Sequence, residues 1–190
     1  RYETLFFAVE GWFYGMAYLL IMPFMGLYTA KMTDADYLQP GLAALFVAVG
    51  VLNNLRCPSG QLINAAGHFK KTQLRSVAEA VINVVCSVGG VLVFGFKGVL
   101  FGAVVSGLYR GVDMIVYTSR HILHSVQAGL ATFAKILVAT LVFAAVCWIG
   151  QLQPFQPASY MQWVGLAALY GLFLSLPFLV IFVCARAAKK

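Results

Sequence analysis

Long apolar runs, separated by short polar connections, constrain this chain more than any other feature. A helix needs about 20 apolar residues to cross the roughly 30 Å hydrocarbon layer of a membrane. Of the 190 residues, 62% are hydrophobic and only 10% are charged, far less than the charge that a water-soluble surface carries. The pattern predicts an all-α polytopic membrane bundle of about six transmembrane helices, with residues 1–190 forming a single bundle.

Six apolar segments are the predicted spans: 5–28, one that begins at 40, 72–94, 99–119, 130–149 and 160–185. The second of them extends at least to Leu55 and, if it continues past a kink at Pro58, to Ala66. Pro23, Pro58 and Pro177 fall inside three of them, and a proline inside a helix removes a backbone hydrogen bond and favours a kink. The connection at 95–98 is short, so the third and fourth segments should form a tight antiparallel hairpin. The connection at 56–75 is the most basic one, with no acidic residue.

The distribution of basic residues predicts the orientation in the membrane. With six spans, only Lys31 and Lys97 fall on one side, whereas ten basic residues fall on the other: Arg1, Arg56, Lys70, Lys71, Arg75, Arg120, Lys135, Arg186, Lys189 and Lys190. Connections rich in Lys and Arg remain on the cytoplasmic side. Both termini of this segment are therefore predicted to be cytoplasmic. Their contacts should include anionic membrane lipid.

The same distribution argues against nucleic-acid binding, because the basic residues lie at the ends of apolar segments and not on one folded face. The net charge of +7, taken alone, would be compatible with a nucleic-acid-binding protein. The sequence contains no Walker loop, no H-E-x-x-H and no G-x-S-x-G motif. It therefore predicts no enzyme, no catalytic residue and no cofactor.

Cysteines and histidines do not form a predicted metal site. The cysteines lie in or beside apolar runs without a C-x-x-C pair and are interpreted as small buried hydrophobic residues: Cys57, Cys86, Cys147 and Cys184. His121-x-x-His124 has no third ligand nearby in the sequence, and His68 lies far from it.

Charged residues within the third and fourth segments are the main candidates for a functional site. Arg75 and Glu79 share one helical face, and Arg110 and Asp113 share another. Folding the hairpin about the middle of its turn places Glu79 level with Met114. Arg110 then lies roughly 6 Å deeper in the membrane than Glu79. The long Arg110 side chain can span that distance by extending toward the cytoplasmic interface. This predicts a Glu79–Arg110 pair, which Asp113 joins through Arg110 or through Arg75.

Two interpretations of this network stay open. Charges within spans usually face a cavity or a partner, so Arg110 could line a wet cavity and bind an anion. Alternatively, Glu79, Arg110 and Asp113 neutralise one another and lock the hairpin. Glu10 is similarly ambiguous, since it could couple transport to an ion or simply lie near the interface.

A polar face on the second segment also has two interpretations. Asn53, Cys57, Gln61 and Asn64 recur at spacings of four, four and three, which places them on one side of a helix. They either line a cavity or hold the helix against its neighbours. Asn53 and Asn64 are therefore candidate substrate-binding residues.

Residues 52–123 also resemble a known family. The resemblance lies in L-N-N-L-R-C-P-S-G-Q-L-I-N-A-A-G-H-F-K-K-T-Q, in E-A-V-I-N-V-V-C-S and in F-G-F-K-G-V-L-F-G-A-V-V-S-G-L-Y-R. These stretches are similar to the polysaccharide-transporter branch of the MOP exporter superfamily, the flippases of lipid-linked oligosaccharides such as O-antigen units. The residues after Leu123 add little to it.

The resemblance implies a two-lobe transporter of the bacterial inner membrane. Such a protein passes an undecaprenyl-pyrophosphate-linked sugar through a cationic cavity that opens to alternate sides. This chain would be its C-terminal part, with the N-terminal bundle of the same protein as a partner and a glycan polymerase or ligase as a further one. Arg110, and then Arg56, are the substrate-facing candidates. The first residue is Arg1, which fits the expectation of a longer protein.

Two alternatives remain at this point. A small-molecule or multidrug exporter of the same superfamily would use acidic cavity residues, for which Glu10, Glu79 and Asp113 are the candidates. A membrane scaffold of a glycan-assembly complex would transport nothing, and neutralising its intramembrane charges would leave its role intact.

Overall fold

The computed structural model describes residues 2–32, 37–151 and 157–187, with the side chains at 143, 146, 147, 149–151 and 177–187 excepted. Within those residues the chain is all-helical, with seven helices and no strand: α1 (Tyr2–Tyr28), α2 (Pro40–Leu55), α3 (Cys57–Ala65), α4 (Phe69–Phe94), α5 (Lys97–His121), α6 (Val126–Gln151) and α7 (Tyr160–Ala187). The predicted all-α helical bundle is confirmed.

Several helices have the length and composition of membrane spans. Among the described residues, four qualify: α1, α4, α5 and the consecutive pair α2–α3, which together cover Pro40–Ala65. The described parts of α6 and α7 contribute shorter apolar stretches, Val126–Val142 and Tyr160–Leu176. A helix satisfies its own backbone hydrogen bonds and can therefore expose apolar side chains to lipid. The length and apolar composition of these helices are those of a membrane protein.

The second predicted segment is divided at Arg56. Pro58 lies in the first turn of α3, where its missing N–H costs no intrahelical hydrogen bond. Gly67, at φ 68°, then ends this stretch in the left-handed region that glycine adopts readily, and α4 begins at Phe69, three residues before the predicted start. Pro23 lies inside the continuous helix α1. Pro177 lies in α7, and its side chain is not among those that the structure describes.

The chain forms two compact units. The first comprises Glu3–Val47 and Leu137–Lys190, and the second comprises Ala48–Ile136. In the first unit, α1 and α7 pack antiparallel: Trp12 Nε1 donates to the Gly171 carbonyl (3.1 Å), and Trp163 Nε1 donates to the Leu20 carbonyl (3.3 Å). Their core pair is Leu19 and Leu174, against which Ala8, Trp12, Met16, Tyr18, Val142 and Tyr170 pack.

The second unit is built on the hairpin of α4 and α5. A Cβ added to Gly98 would lie 2.0 Å from the Gly90 carbonyl carbon, and one added to Gly102 would lie 2.4 Å from the Ser87 nitrogen. A glycine at one of two facing positions permits this approach of the two backbones. The small-residue ridge of Gly98, Gly102 and Ser106 therefore forms the contact surface of the hairpin.

The register of the hairpin corrects one expectation. Gly90 contacts Gly98, Ser87 contacts Gly102, and Asn83 hydrogen-bonds to Ser106. Continuing this register places Glu79 level with Arg110, not with Met114, so the predicted depth difference of roughly 6 Å was wrong. Gly95, at φ 61°, reverses the chain sharply, and the start of α5 lies beside the last turn of α4 instead of beyond it.

Candidate functional site

Five charged side chains meet in the second unit and define what we call the charge cluster. They come from three places: Arg56 from the α2–α3 junction, Arg75 and Glu79 from α4, and Arg110 and Asp113 from α5. Their contacts form one alternating chain, in the order Arg56, Glu79, Arg110, Asp113, Arg75. Three guanidinium groups and two carboxylates give the cluster a net charge of 3 − 2 = +1.

Arg110 occupies the buried centre of the charge cluster. Its Nε lies 3.4 Å from Glu79 Oε2, and its Nη1 lies 3.3 Å from Asp113 Oδ2. Its Nη2 donates to Ser76 Oγ at 2.8 Å. Its side chain is only 4% exposed. Arg110 is thus enclosed by two carboxylates and a hydroxyl, an arrangement that compensates a cation withdrawn from water.

The two ends of the charge cluster are cationic and more accessible. Arg56 contacts Glu79, and its side chain is 27% exposed; Arg75 contacts Asp113, and its side chain is 39% exposed. Each carboxylate is shared between a buried Arg110 and an outer arginine. Because a guanidinium carries five N–H donors, one carboxylate contact leaves donors for another anion. Arg56 and Arg75 are therefore the arginines of the cluster best placed to bind an anionic group.

Comparisons with models of protein families, with curated proteins and with solved structures found no match to this chain.

The polar face at the α2–α3 junction is exposed. Asn53, Gln61 and Asn64 are all exposed, and within the described chain none of their side chains makes a hydrogen bond. Cys57 Sγ lies 3.9 Å from the Asn53 carbonyl oxygen and 3.8 Å from Asn54 Oδ1. The exposed amides do not hold the second unit together. They are available to water or to a ligand.

A hydroxyl and amide seam continues the polar contacts from the charge cluster toward the turn of the hairpin. Asn83 Nδ2 donates to Ser106 Oγ (2.9 Å), and Ser106 Oγ in turn donates to the Ala103 carbonyl (3.1 Å). Ser87 Oγ donates to the Val99 carbonyl at 3.2 Å. These bonds satisfy polar groups between two apolar helices. They are consistent with the register that brings Glu79 to Arg110.

Glu10 in α1 differs from the charge cluster because no described residue pairs with it. The residue is 8% exposed, and both carboxylate oxygens are buried without a hydrogen bond from any described residue. A buried polar group left unsatisfied destabilises a fold unless something compensates it. Ion coupling and a position near the membrane interface both stay predictions for Glu10. Its burial distinguishes it from an exposed acidic residue on a protein surface.

Sequence reasoning named four members of this network and missed some of their contacts. Arg56 was named as a separate candidate, and its contact with Glu79 depends on how the α2–α3 junction folds. The Ser76 contact was also missed, although Ser76 lies three residues before Glu79 and hence on the same side of α4. Asp113 contacts both Arg110 and Arg75, which had been posed as alternatives.

Cysteines and possible metal ligands stay separate from the cluster. Cys57 and Cys86 are free and half-buried. The side chains of Cys147 and Cys184 lie outside the description. Across the described residues, no three side chains of His, Cys, Asp or Glu are grouped so that they could hold a metal ion.

Proposed function

We propose that this chain is one lobe of a transporter that moves undecaprenyl-pyrophosphate-linked oligosaccharide across the bacterial cytoplasmic membrane for polysaccharide biosynthesis. Alternating access between two lobes would carry the substrate from the inner to the outer leaflet. Membrane lipid, the N-terminal bundle and a glycan polymerase or ligase are the partners in this proposal. Both termini of the segment are cytoplasmic in it.

The observation that carries the proposal is the net positive charge cluster, with an accessible arginine at each end, within membrane-length helices. A pyrophosphate is doubly or more negatively charged, and hydrocarbon opposes its passage. A cationic site beside lipid lowers that barrier. Arginine also matches phosphate through paired N–H donors. The family resemblance over residues 52–123 supports the same substrate class.

The proposal assigns different roles to the arginines. In it, Arg56 contacts the pyrophosphate group, and the exposed amides of Asn53 and Asn64 contact the polar sugar. Arg110 holds Glu79 and Asp113 in place, and it becomes substrate-facing only if an outer arginine is drawn away from its carboxylate. The cationic-drug alternative is weaker, because Glu79 and Asp113 are both engaged by arginine.

A scaffold role is the second candidate, favoured by the fact that every member of the charge cluster already has a partner. A closed network can lock a hairpin without binding anything. The two functions differ in their response to Arg56→Gln, which removes an accessible cation and leaves Arg110 with both of its carboxylates.

The deciding experiment is a flipping assay with the full-length protein in proteoliposomes that contain lipid-linked oligosaccharide. Arg56→Gln should reduce the flipping rate at least about tenfold, as expected for the loss of a charge-assisted contact. Lys97→Gln serves as the matched control, since Lys97 is an exposed cation at the opposite end of the hairpin. Equal rates for Arg56→Gln and wild type, at equal insertion, would support the scaffold instead.

A further inference from the structure

A second group of side chains lies at the end of the hairpin away from Gly95, beyond the charge cluster. We call it the aromatic–basic cluster: His68, Lys71, Arg75, Tyr117 and His121. Tyr117 is at its centre, and this residue is 5% exposed. The Arg75 guanidinium carbon lies 5.0 Å from the centroid of the Tyr117 ring, and the His121 ring centroid lies 4.7 Å from it.

Hydrogen bonds fix the orientation of His68 in this cluster. Lys71 Nζ lies 3.4 Å from His68 Nε2, and Tyr117 Oη lies 3.2 Å from His68 Nδ1. An ammonium group can only donate, so Nε2 is the acceptor in the first contact. The Nδ1 proton then points to Tyr117. The ring of His68 thus holds the Lys71 ammonium against the end of the hairpin.

Positive charge exceeds negative charge at this end of the hairpin. Lys70 and Arg120 are exposed beside the cluster, which raises the local count to four permanent cations: Lys70, Lys71, Arg75 and Arg120. The nearest acid on these helices is Asp113, whose carboxylate is engaged by Arg75 and Arg110. Lys71 and Arg120 have no ion pair within the part of the chain that the structure describes. The surface is therefore complementary to an anion.

The surroundings of the cluster favour a lipid over a soluble anion. At about 1.5 Å per residue, the 26 residues of α4 extend for about 39 Å, more than the hydrocarbon thickness, so the charged start of α4 reaches the head-group layer. Large apolar side chains lie beside the cations and are exposed: Phe69 at 67%, Leu74 at 79% and Leu123 at 45%. These side chains can contact acyl chains while the cations contact a phosphate.

We propose that the aromatic–basic cluster binds the phosphate of an anionic membrane phospholipid, with Lys71 as its principal contact and His68 positioning that lysine. Arg75 adds charge from the Tyr117 side. The site does not depend on the transport function proposed above. It would operate equally in a scaffold, and it would tie the start of α4 and the end of α5 to one leaflet.

The test is a lipid titration of the full-length chain in a neutral detergent, followed by thermal unfolding. Phosphatidylglycerol should raise the Tm, while phosphatidylcholine at the same concentration should not. Lys71→Gln should need about fivefold more phosphatidylglycerol for half of the maximal shift, the effect expected for one basic residue near an anionic surface. Lys97→Gln, the same change at the Gly95 end, should titrate like wild type.

Two further arms make the result decisive. The Tm without lipid should be the same for Lys71→Gln and wild type, because Lys71 is exposed. The double variant Lys70→Gln, Lys71→Gln should bind phosphatidylglycerol more weakly than Lys71→Gln alone. Glycerol phosphate, which has the head group but no acyl chains, should leave the Tm unchanged at matched concentrations. Equal titration of Lys71→Gln and wild type would overturn the site, and so would equal shifts with phosphatidylcholine or glycerol phosphate.

Discussion

Arg110 and Glu79 lie at the same level of the α4–α5 hairpin, with Arg110 Nε 3.4 Å from Glu79 Oε2. This pair joins the two halves of the charge cluster, because Glu79 also contacts Arg56 and Arg110 also contacts Asp113. Its position follows from the backbone contact between Gly90 and Gly98, which lies about three turns of helix away from Glu79 in α4 and from Arg110 in α5.

Removing Arg110 should destabilise the protein more than removing either outer arginine. Arg110→Ala leaves Glu79 and Asp113 each with a single outer partner, and breaking a buried ion pair typically costs about 3–5 kcal/mol. The measurement is the free energy of unfolding in detergent micelles, followed by circular dichroism. Arg75→Ala is the comparison, because the Arg75 side chain is 39% exposed. Equal losses for the two variants would contradict the central position of Arg110.

Gly98→Ala should disrupt the hairpin, whereas Gly89→Ala should not. An added Cβ at Gly98 would lie 2.0 Å from the Gly90 carbonyl carbon, but at Gly89 it would meet nothing within 4 Å. We expect Gly98→Ala to lower the free energy of unfolding by about 3 kcal/mol or more, at the upper end of overpacking costs. Gly89→Ala should be neutral or stabilising by up to about 1 kcal/mol, since alanine favours the helix. A tolerated Gly98→Ala would show that the two backbones lie farther apart.

Replacing Glu10 by an apolar residue of similar length should stabilise the fold. Both Glu10 carboxylate oxygens are buried without a partner among the described residues, and leaving such a group unsatisfied typically costs about 1–3 kcal/mol. Glu10→Met should therefore raise the free energy of unfolding, and Glu10→Gln, which stays polar, should raise it less. A less stable Glu10→Met variant would mean that the carboxylate has a stabilising contact. A stable variant that no longer transports would assign Glu10 a functional role.

The orientation predicted from basic residues can be tested with single cysteines. In a background with Cys57, Cys86, Cys147 and Cys184 replaced by serine, Lys97→Cys should react with a membrane-impermeant maleimide in intact spheroplasts. Lys71→Cys should react only after permeabilisation, because the basic side is expected to be cytoplasmic. The reverse labelling pattern would invert the topology and would place the aromatic–basic cluster in the outer leaflet.

Much of the fold could be predicted because membrane helices are specified locally. The apolar runs alone indicate helices near 5–28, 72–94 and 99–119, and the structure has α1, α4 and α5 there. The helix bounds differ from the predicted ones by a few residues where polar residues extend a helix beyond its apolar run, as in α4, which begins at Phe69. The division of the second segment at Arg56 was less visible, because Pro58 is compatible with both a kinked helix and the first turn of a new one.

The candidate site was only partly accessible from sequence. Helical spacing places Arg75 with Glu79 and Arg110 with Asp113, and the short turn indicates that the two pairs face each other. The partner of Arg56 could not be predicted, since Arg56 and Glu79 are 23 residues apart and meet only through the α2–α3 junction. The Tyr117–His68 contact, across 49 residues, was missed for the same reason.

Apolar length and local helical periodicity are properties of each segment alone, so the amino-acid sequence was sufficient to indicate a helical chain suited to a membrane. It also determined which charges share a helical face. Which of these charges meet, and which remain accessible, depends on how the helices pack against one another. Gly90 and Gly98 set the register of α4 and α5 by backbone contact, and that register buries Arg110 between two acids while leaving Arg56 and Arg75 at the cationic ends.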